Sequence, residues 1–380
     1  MASRPPTILF VCAEDWFFHS HFRPLVSAAR RADARARIVL LTNVNDKRAA
    51  LEELGVEVIP FGFRRGSLQP FAVWRAARRL RRVVRRLRPD LVHCIALTPI
   101  LLAVLARIGG PAIIFHVTGL GTLAEGDTPR VRLLRSVLLR LLGWHVRRHG
   151  DSLLLENPDD AGYLQEYGLP RDADITIVGG AGLDPARFPP LPDPGGAPLR
   201  LAFVGRLIAT KGVDVLIAAM DAPPLREMDL RLDLFGAIDA GNAGAYAEER
   251  VRAWAARDDV SWHGFIEDVR DVWRRAAICV LPTRTREGMP RALLEAAACA
   301  RPLVVTDVPG CRHFVRDGVE GFVVPPENPR ALAAAIARLA ADPALRVKMG
   351  RAARRRLLEG FTEQRVVATI GAIHRRLLRA

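Results

Sequence analysis

The sequence predicts an α/β protein made of two doubly wound domains that face each other across a cleft. Three observations predict it. The chain has 380 residues, half of them hydrophobic, which exceeds one ordinary core and suits two domains of moderate size. Short, continuous apolar runs alternate with Ala-, Arg- and Leu-rich helical segments, and continuous runs belong to parallel sheets covered on both faces. A Pro- and Gly-rich stretch, 189–198, divides the alternation into two series of similar size.

The first series runs ILFVCA (8–13), ARIVLLT (36–42), VEVIPF (56–61), LVHCIA (91–96), AIIFHV (112–117), SLLLEN (152–157) and ITIVGG (175–180). The second runs LRLAFVG (199–205), LRLDLFG (230–236), VSWHGF (260–265), ICVLPT (278–283), PLVVTD (302–307) and GFVVPP (321–326). Helical patterns separate the strands, and the longest Arg-rich ones lie within 63–90 and 131–150. The expected domains are 1–188 and 199–360, with a last helix, 361–380, running back onto the first. Every apolar run is too short or too interrupted to cross a membrane. The N-terminal run is strand-length and meets Glu14 and Asp15, so it reads as a strand rather than a signal peptide, and the expected location is cytoplasmic.

The net charge is +15, and the only lysines are Lys47, Lys211 and Lys348. Such a balance favours an anionic partner: substrate phosphates, an anionic lipid surface or nucleic acid. Cys12, Cys94, Cys279, Cys299 and Cys311 make no CxxC spacing and read mostly as buried thiols.

Four stretches carry chemistry. In EGMPRALLEA (287–296), Glu287 sits on a loop after a strand, Pro290 reads as the first position of a helix, and Glu295 lies inside that helix. Two Glu at this spacing mean little alone, since an acid near a helix start is favoured by the dipole. The context adds weight: this is the carboxyl edge of a sheet, where open α/β folds bind ligands and helix N–H groups suit a diphosphate. In FVGRLIATKGVDVLIAAM (203–220), Arg206 and Lys211 lie on the loop before a helix. An ammonium and a guanidinium together can neutralise a diphosphate leaving group without a metal. In FHVTGLGTL (115–123), His116 ends a strand, and Thr118-Gly119-Leu120-Gly121 permits close backbone approach to a ligand. A single strand-end histidine fits a structural role as well as a catalytic one. AEDWFFHSHFRPL (13–25) lacks the Gly-x-Gly-x-x-Gly of a nicotinamide-binding turn, and no third ligand supports a metal at His19 and His21. Asp172-Ala-Asp174 reads as a polar turn.

Together, LPTRTREGMPRALLEAAACARPLVVTDVPGCRHFV with GFVVPP behind it, GRLIATKG, TGLG and GLDPARF resemble glycosyltransferase family 4, retaining enzymes of the GT-B fold. The resemblance covers most of the chain. DWFFHSHFRPL and TGLG look closest to bacterial transferases acting on polyprenyl-diphosphate-linked sugars. The resemblance implies that Glu287 bonds hydroxyls of the donor sugar near the reacting centre and that Glu295 holds the ribose. It implies that Arg206 and Lys211 clamp the diphosphate, that the backbone of Gly288, Met289 and Pro290 lies along the donor, and that His116 approaches the sugar from the other domain. The implied reaction is metal-independent: a hexose or N-acetylhexosamine moves from a UDP-sugar to a lipid-linked glycan, with no cofactor beyond the donor. Arg284 and Thr285 stand where the family usually has aromatic residues, and Phe17-Phe18-His19 replaces a common Gly-Gly turn. Both departures bear on the acceptor more than on the reaction type.

The helices within 63–90 and 131–150 mix arginines with Phe71, Trp74 and leucines, which fits a surface lying on an anionic bilayer, or equally an amphipathic helix packed on its own sheet. With the acceptor expected on the first domain, a membrane-embedded polyprenyl diphosphate makes both facts consistent and predicts a peripheral protein at the inner face of the cytoplasmic membrane. A UDP-sugar 2-epimerase of the same fold is an alternative that converts donor alone. A nucleic-acid binder is another, though arginines spread over helices make no reading head.

Overall fold

A computed structural model describes residues 4–63, 69–120, 128–239, 241–242 and 244–379. The chain divides into two compact units: Met1–Ala181 with Glu363–Ala380, and Gly182–Thr362.

The first unit is built on seven parallel strands: β1 (Thr7–Glu14), β2 (Arg37–Asn43), β3 (Val56–Pro60), β4 (Leu91–Ile95), β5 (Ala112–Val117), β6 (Ser152–Leu155) and β7 (Ile175–Ile177). Their order is β3-β2-β1-β4-β5-β6-β7. Ile8 pairs with Ile38 on one side and Leu91 on the other, and His116 of β5 pairs with Ile95 and Leu154. Ile8 through Cys12 have no exposed surface, because helices cover both faces of the sheet. The principal helices are α1 (Pro24–Ala32), α2 (Pro70–Leu87), α3 (Leu97–Ala106) and α4 (Pro129–His149). The α2 helix turns Ala76, Ala77, Leu80 and Val84 into the core, and α4 turns in Leu139, Leu142 and Val146. A helix over Glu363–Leu377 packs on α1, with Val366, Ile370 and Ile373 in the same apolar cluster as Ile8 and Phe10.

The second unit has six parallel strands: β8 (Leu199–Val204), β9 (Leu230–Phe235), β10 (Val260–Trp262), β11 (Ile278–Leu281), β12 (Leu303–Thr306) and β13 (Gly321–Val324). Their order is β10-β9-β8-β11-β12-β13. The strand order reverses between β8 and β11, so the loops leaving those strands flank one crevice, the usual ligand position in such sheets. Helices α5 (Val213–Met220) and α6 (Arg291–Ala298) follow these loops.

The thirteen expected strands all form, with ends trimmed by turn chemistry. SLLLEN stops at Leu155 because Asn157 caps the next helix, accepting from Asp160 N at 3.0 Å. Pro290 is not the first helical residue but stands just before it, its ψ of 118° still extended. The Pro-rich segment 189–198 is not a free tether. Arg301 donates to Pro192 O at 2.7 Å, and the buried Arg346 pairs with Asp193 at 2.8 Å. The contacts therefore assign 182–198 to the second unit, and the division falls between 181 and 182. All five cysteines are buried thiols that form no disulfide, and no helix among the described residues is long and apolar enough to cross a membrane.

Candidate functional site

The loop after β8 begins at Gly205, whose N–H donates to Phe235 O at 2.9 Å. Arg206 follows, half-exposed, and pairs with Asp239 at 2.7 Å. A short 3-10 turn, Ala209–Lys211, leads to Gly212, which sits at φ +68° before α5. A Cβ on Gly212 would lie 2.1 Å from Pro282 O, so only glycine lets this loop lie against the end of β11.

That close approach brings Lys211 to Glu287. The ammonium lies 2.5 Å from Glu287 Oε1, and both side chains are largely shielded from solvent. Thr283 Oγ1 lies 2.9 Å from the same carboxylate oxygen and 2.9 Å from Thr210 O. The Glu287 N–H donates to Pro309 O at 3.1 Å. Gly310, at φ +85°, backs the loop so closely that a Cβ would meet Gly288 O at 2.4 Å.

Arg284 braces the two loops together. Its guanidinium grips Asp214 with both nitrogens, at 2.8 and 3.0 Å, and Nη1 also donates to Ala209 O at 2.6 Å. Tyr246 donates to the same Asp214 at 2.7 Å. Burial alone would raise the Asp214 carboxyl, but the bonds from Arg284 and Tyr246 outweigh it and hold it below the usual range. Burial and the Asp214 charge push the Tyr246 phenol up to about 12. Sequence reasoning missed Asp214 and Tyr246. The one signal was an acid in the first turn of α5, and its arginine partner lies 70 residues away.

Glu295 is buried inside α6 and pairs with Arg291, one turn earlier, at 2.8 Å. Burial raises its carboxyl, and the nearby Arg291 and Arg187 only partly offset this. Of the sequence-predicted residues, Lys211 and Glu287 meet directly. Arg206 and Glu295 each hold a different partner, and Gly288, Met289 and Pro290 form the backbone between Glu287 and α6.

In the first unit, His116 is fully buried at the carboxyl end of β5. Burial pushes its imidazole down to about 3, with His374 adding to the shift. Thr118, Gly119 and Leu120 follow, and Gly121 lies outside the described residues. After β1, the buried Asp15 accepts from Asn45 N at 2.7 Å and Lys47 N at 3.2 Å, which fixes the loop after β2. Burial, then Arg23 and Lys47, lower the His19 imidazole. Among the described residues, no group of three or more His, Cys, Asp or Glu converges in a way that could hold a metal. Asp174 is a structural acceptor, taking bonds from Ser152 Oγ at 2.5 Å and from Arg376.

Two family descriptions match the chain: "Glycosyl transferase 4-like domain" over residues 19–181 and "Glycosyl transferases group 1" over 198–342. The chain belongs to the family 4 glycosyltransferases. The site residues of the second unit lie within the group 1 match, and His116 lies within the 4-like match. Among relatives of this family, the D-inositol 3-phosphate glycosyltransferase of Nocardiopsis dassonvillei is 32% identical over 250 residues, 61% of this chain and 56% of that one. The chain thus spans about half the length of the first curated relatives it matches. The N,N'-diacetylbacillosaminyl-diphospho-undecaprenol alpha-1,3-N-acetylgalactosaminyltransferase of Campylobacter jejuni is 24% identical over 87% of this chain and 89% of that one. Among solved structures, a sucrose-phosphate synthase from Thermosynechococcus elongatus has a TM-score of 0.79 at 19% identity, covering 98% and 99% of the two chains. The Anabaena protein HepE, solved with UDP and glucose, has a TM-score of 0.76 at 18% identity, covering 98% and 99%. These likenesses establish the GT-B fold of two Rossmann-like units.

Proposed function

We propose that the protein transfers a hexose or N-acetylhexosamine, with retention and without a metal, from a UDP-sugar to a polyprenyl-diphosphate-linked glycan. The Lys211–Glu287 pair at the crevice between β8 and β11 carries this reading. Without ligand, each group neutralises the other. When a nucleotide diphosphate-sugar enters, Lys211 turns its charge to the diphosphate with Arg206, and Glu287 accepts from the sugar hydroxyls. Fixed positive charge at the leaving phosphate offsets the charge that builds as the glycosidic bond breaks, the role a metal would otherwise fill. The departing phosphate then helps take the proton of the incoming acceptor hydroxyl on the same face of the sugar, which retains configuration. Glu295 accepts from the ribose hydroxyls.

The donor assignment is supported by HepE, which was solved in complex with UDP and with UDP-glucose, and the acceptor by the diphospho-undecaprenol that the Campylobacter transferase is named for. The first unit adds a surface that fits an anionic bilayer. On α2, Phe71 and Trp74 are 69% and 51% exposed and stack at 5.8 Å, with the Arg78 guanidinium 4.6 Å above the Trp74 ring. On α4, Leu133 and Trp144 are 67% and 55% exposed among arginines. We place the protein at the cytoplasmic face of a membrane on this ground.

The test is transfer of labelled sugar from UDP-sugars to a polyprenyl-diphosphate acceptor, with chelator present. Wild-type protein extends the acceptor, and Glu287→Ala abolishes transfer while its thermal unfolding stays cooperative. Near-normal turnover in Glu287→Ala sinks the assignment. Conversion of donor with no acceptor present supports the epimerase instead.

A further inference from the structure

One arginine holds the loop that carries Lys211 from both sides. Just before Lys211, Ala209 O accepts from Arg284 Nη1 at 2.6 Å. Thr210 O accepts from the Arg284 backbone N–H at 2.8 Å and from Thr283 Oγ1 at 2.9 Å. Just after Lys211, the Asp214 carboxylate takes Nη1 and Nη2 of the same guanidinium, at 2.8 and 3.0 Å. Tyr246, from the loop after β9, donates to Asp214 as well. Lys211 therefore lies inside a bracket whose two ends close on Arg284. Arg284 also stands on the loop that bears Glu287, so one side chain ties together the two loops of the Lys211–Glu287 pair.

Each nitrogen of that guanidinium already donates. Nε pairs with Glu327, Nη1 with Ala209 O and Asp214, and Nη2 with Asp214. Two carboxylates thus face its single charge. Arg284 and Asp214 are largely shielded from solvent, where a two-nitrogen ion pair is stronger and more directional than on an open surface. Burial works against the Arg284 charge, and the bonds to Asp214 and Glu327 outweigh it. Arg206 and Lys211 differ: among the described residues each rests on a single carboxylate, which a phosphate can replace.

We infer that Arg284, with Asp214 and Tyr246 behind it, is a positioning residue: it fixes the loop on both sides of Lys211, so that the ammonium stands beside Glu287 before the donor enters, and it binds no phosphate itself. The inference rests on the reading of Lys211 as a group that grips the donor's diphosphate. A lysine on a free loop would lose conformational freedom each time a donor bound, and part of its attraction for the phosphate would go into ordering the chain. A loop already fixed avoids that cost. Lysine is no substitute for Arg284, because a compact ammonium lacks the planar fork that spans Ala209 O and both Asp214 oxygens.

The experiment is a double-mutant cycle on the full chain, read as the Kd for UDP by calorimetry with chelator present. Arg284→Lys weakens UDP binding about tenfold in the wild-type background and less than about twofold in the Lys211→Ala background, because its effect passes through Lys211. A merely structural role would lower the number of binding sites and leave the Kd of the folded fraction unchanged. Equal weakening in both backgrounds overturns the inference, since Arg284 then acts on the phosphate by another route. A wild-type Kd in Arg284→Lys also overturns it. Asp214→Asn keeps the side-chain size and removes the charge behind the fork; it gives the same pattern with a smaller loss, and decides the matter if Arg284→Lys does not unfold cooperatively. A wild-type Kd in Lys211→Ala, or no UDP binding by the wild type, instead sinks the underlying reading of Lys211. The ligand-free crystal structure of Arg284→Lys then judges the positioning alone: Lys211 displaced from Glu287 supports it, and an intact pair overturns it.

Discussion

At the residue scale, Glu287 and Glu295 are two carboxylates in opposite circumstances. Glu287 is neutralised by Lys211 and bonded by Thr283, so it is held in place before any ligand arrives. Glu295 is buried with a raised carboxyl, which means that the folded protein strains to keep it charged. A group whose folded value is raised contributes stability that is fully present below its ordinary range and is lost as pH rises through the raised value. Glu295→Gln removes that loss. We expect Glu295→Gln to unfold at a higher temperature than wild type at pH 7.5, with the gap closing as pH falls toward the ordinary carboxylate range. If Glu295 holds the ribose, the same variant binds nucleotide more weakly, a trade of function for stability. Equal melting of the two proteins across that pH range contradicts the assignment of a strained charge. Glu287, Glu295, Arg206 and Lys211 were legible in the sequence because EGMPRALLEA and GRLIATKG resemble the family's motifs, and Glu287, Arg206 and Lys211 also stand on loops that follow strands. The Arg284–Asp214–Tyr246 brace was not, because its members come from three separate segments that only the folded sheet brings together.

At the scale of elements, the parallel sheets were the most legible part of the chain. A strand buried on both faces must be apolar at every position, so runs such as ILFVCA and PLVVTD announce themselves. Ends and attachments were less legible. The Pro-rich segment has a linker's composition, yet Arg346 and Arg301 fasten it to the second unit, and those arginines lie far away in sequence. The turn before α5 shows how one backbone position controls the site. Gly212→Ala puts a Cβ against Pro282 O in a left-handed conformation, and the strained backbone costs about 1–3 kcal/mol before any steric shift is counted. The loop must retreat from β11, which draws Lys211 away from Glu287. We expect a lowered melting temperature together with a loss of nucleotide affinity. A variant that melts lower but binds as wild type would show that the close approach serves the fold alone. The buried contact between His93 and His374, at 3.1 Å, was invisible in the sequence, since the two are 281 residues apart.

At the scale of the molecule, the net charge of +15 is unevenly used. Many arginines are tied to acids or carbonyls, such as Arg284, Arg346 and Arg301, and do structural work. Those on α2 beside Phe71 and Trp74 stand with exposed aromatic rings, and this combination separates a bilayer-facing surface from a merely basic one. We expect the protein to sediment with anionic vesicles at low salt and to be released at high salt, where screening shortens the reach of each charge. The double variant Phe71→Ser/Trp74→Ser should weaken sedimentation while leaving nucleotide binding unchanged. No binding to vesicles at any ionic strength would argue for a soluble acceptor.

The central claim is that Arg206, Lys211, Glu287 and Glu295 form a metal-free site for a uridine diphosphate-sugar. It is tested most directly by thermal unfolding with UDP, GDP or ADP, each with chelator present. Ligand at a hundred times its dissociation constant adds about 2.7 kcal/mol to folding stability. The account predicts a clear rise in melting temperature with UDP, smaller or absent shifts with GDP and ADP, and loss of the UDP shift in Arg206→Ala. No shift with any nucleotide, or a UDP shift that survives intact in Arg206→Ala, would contradict it.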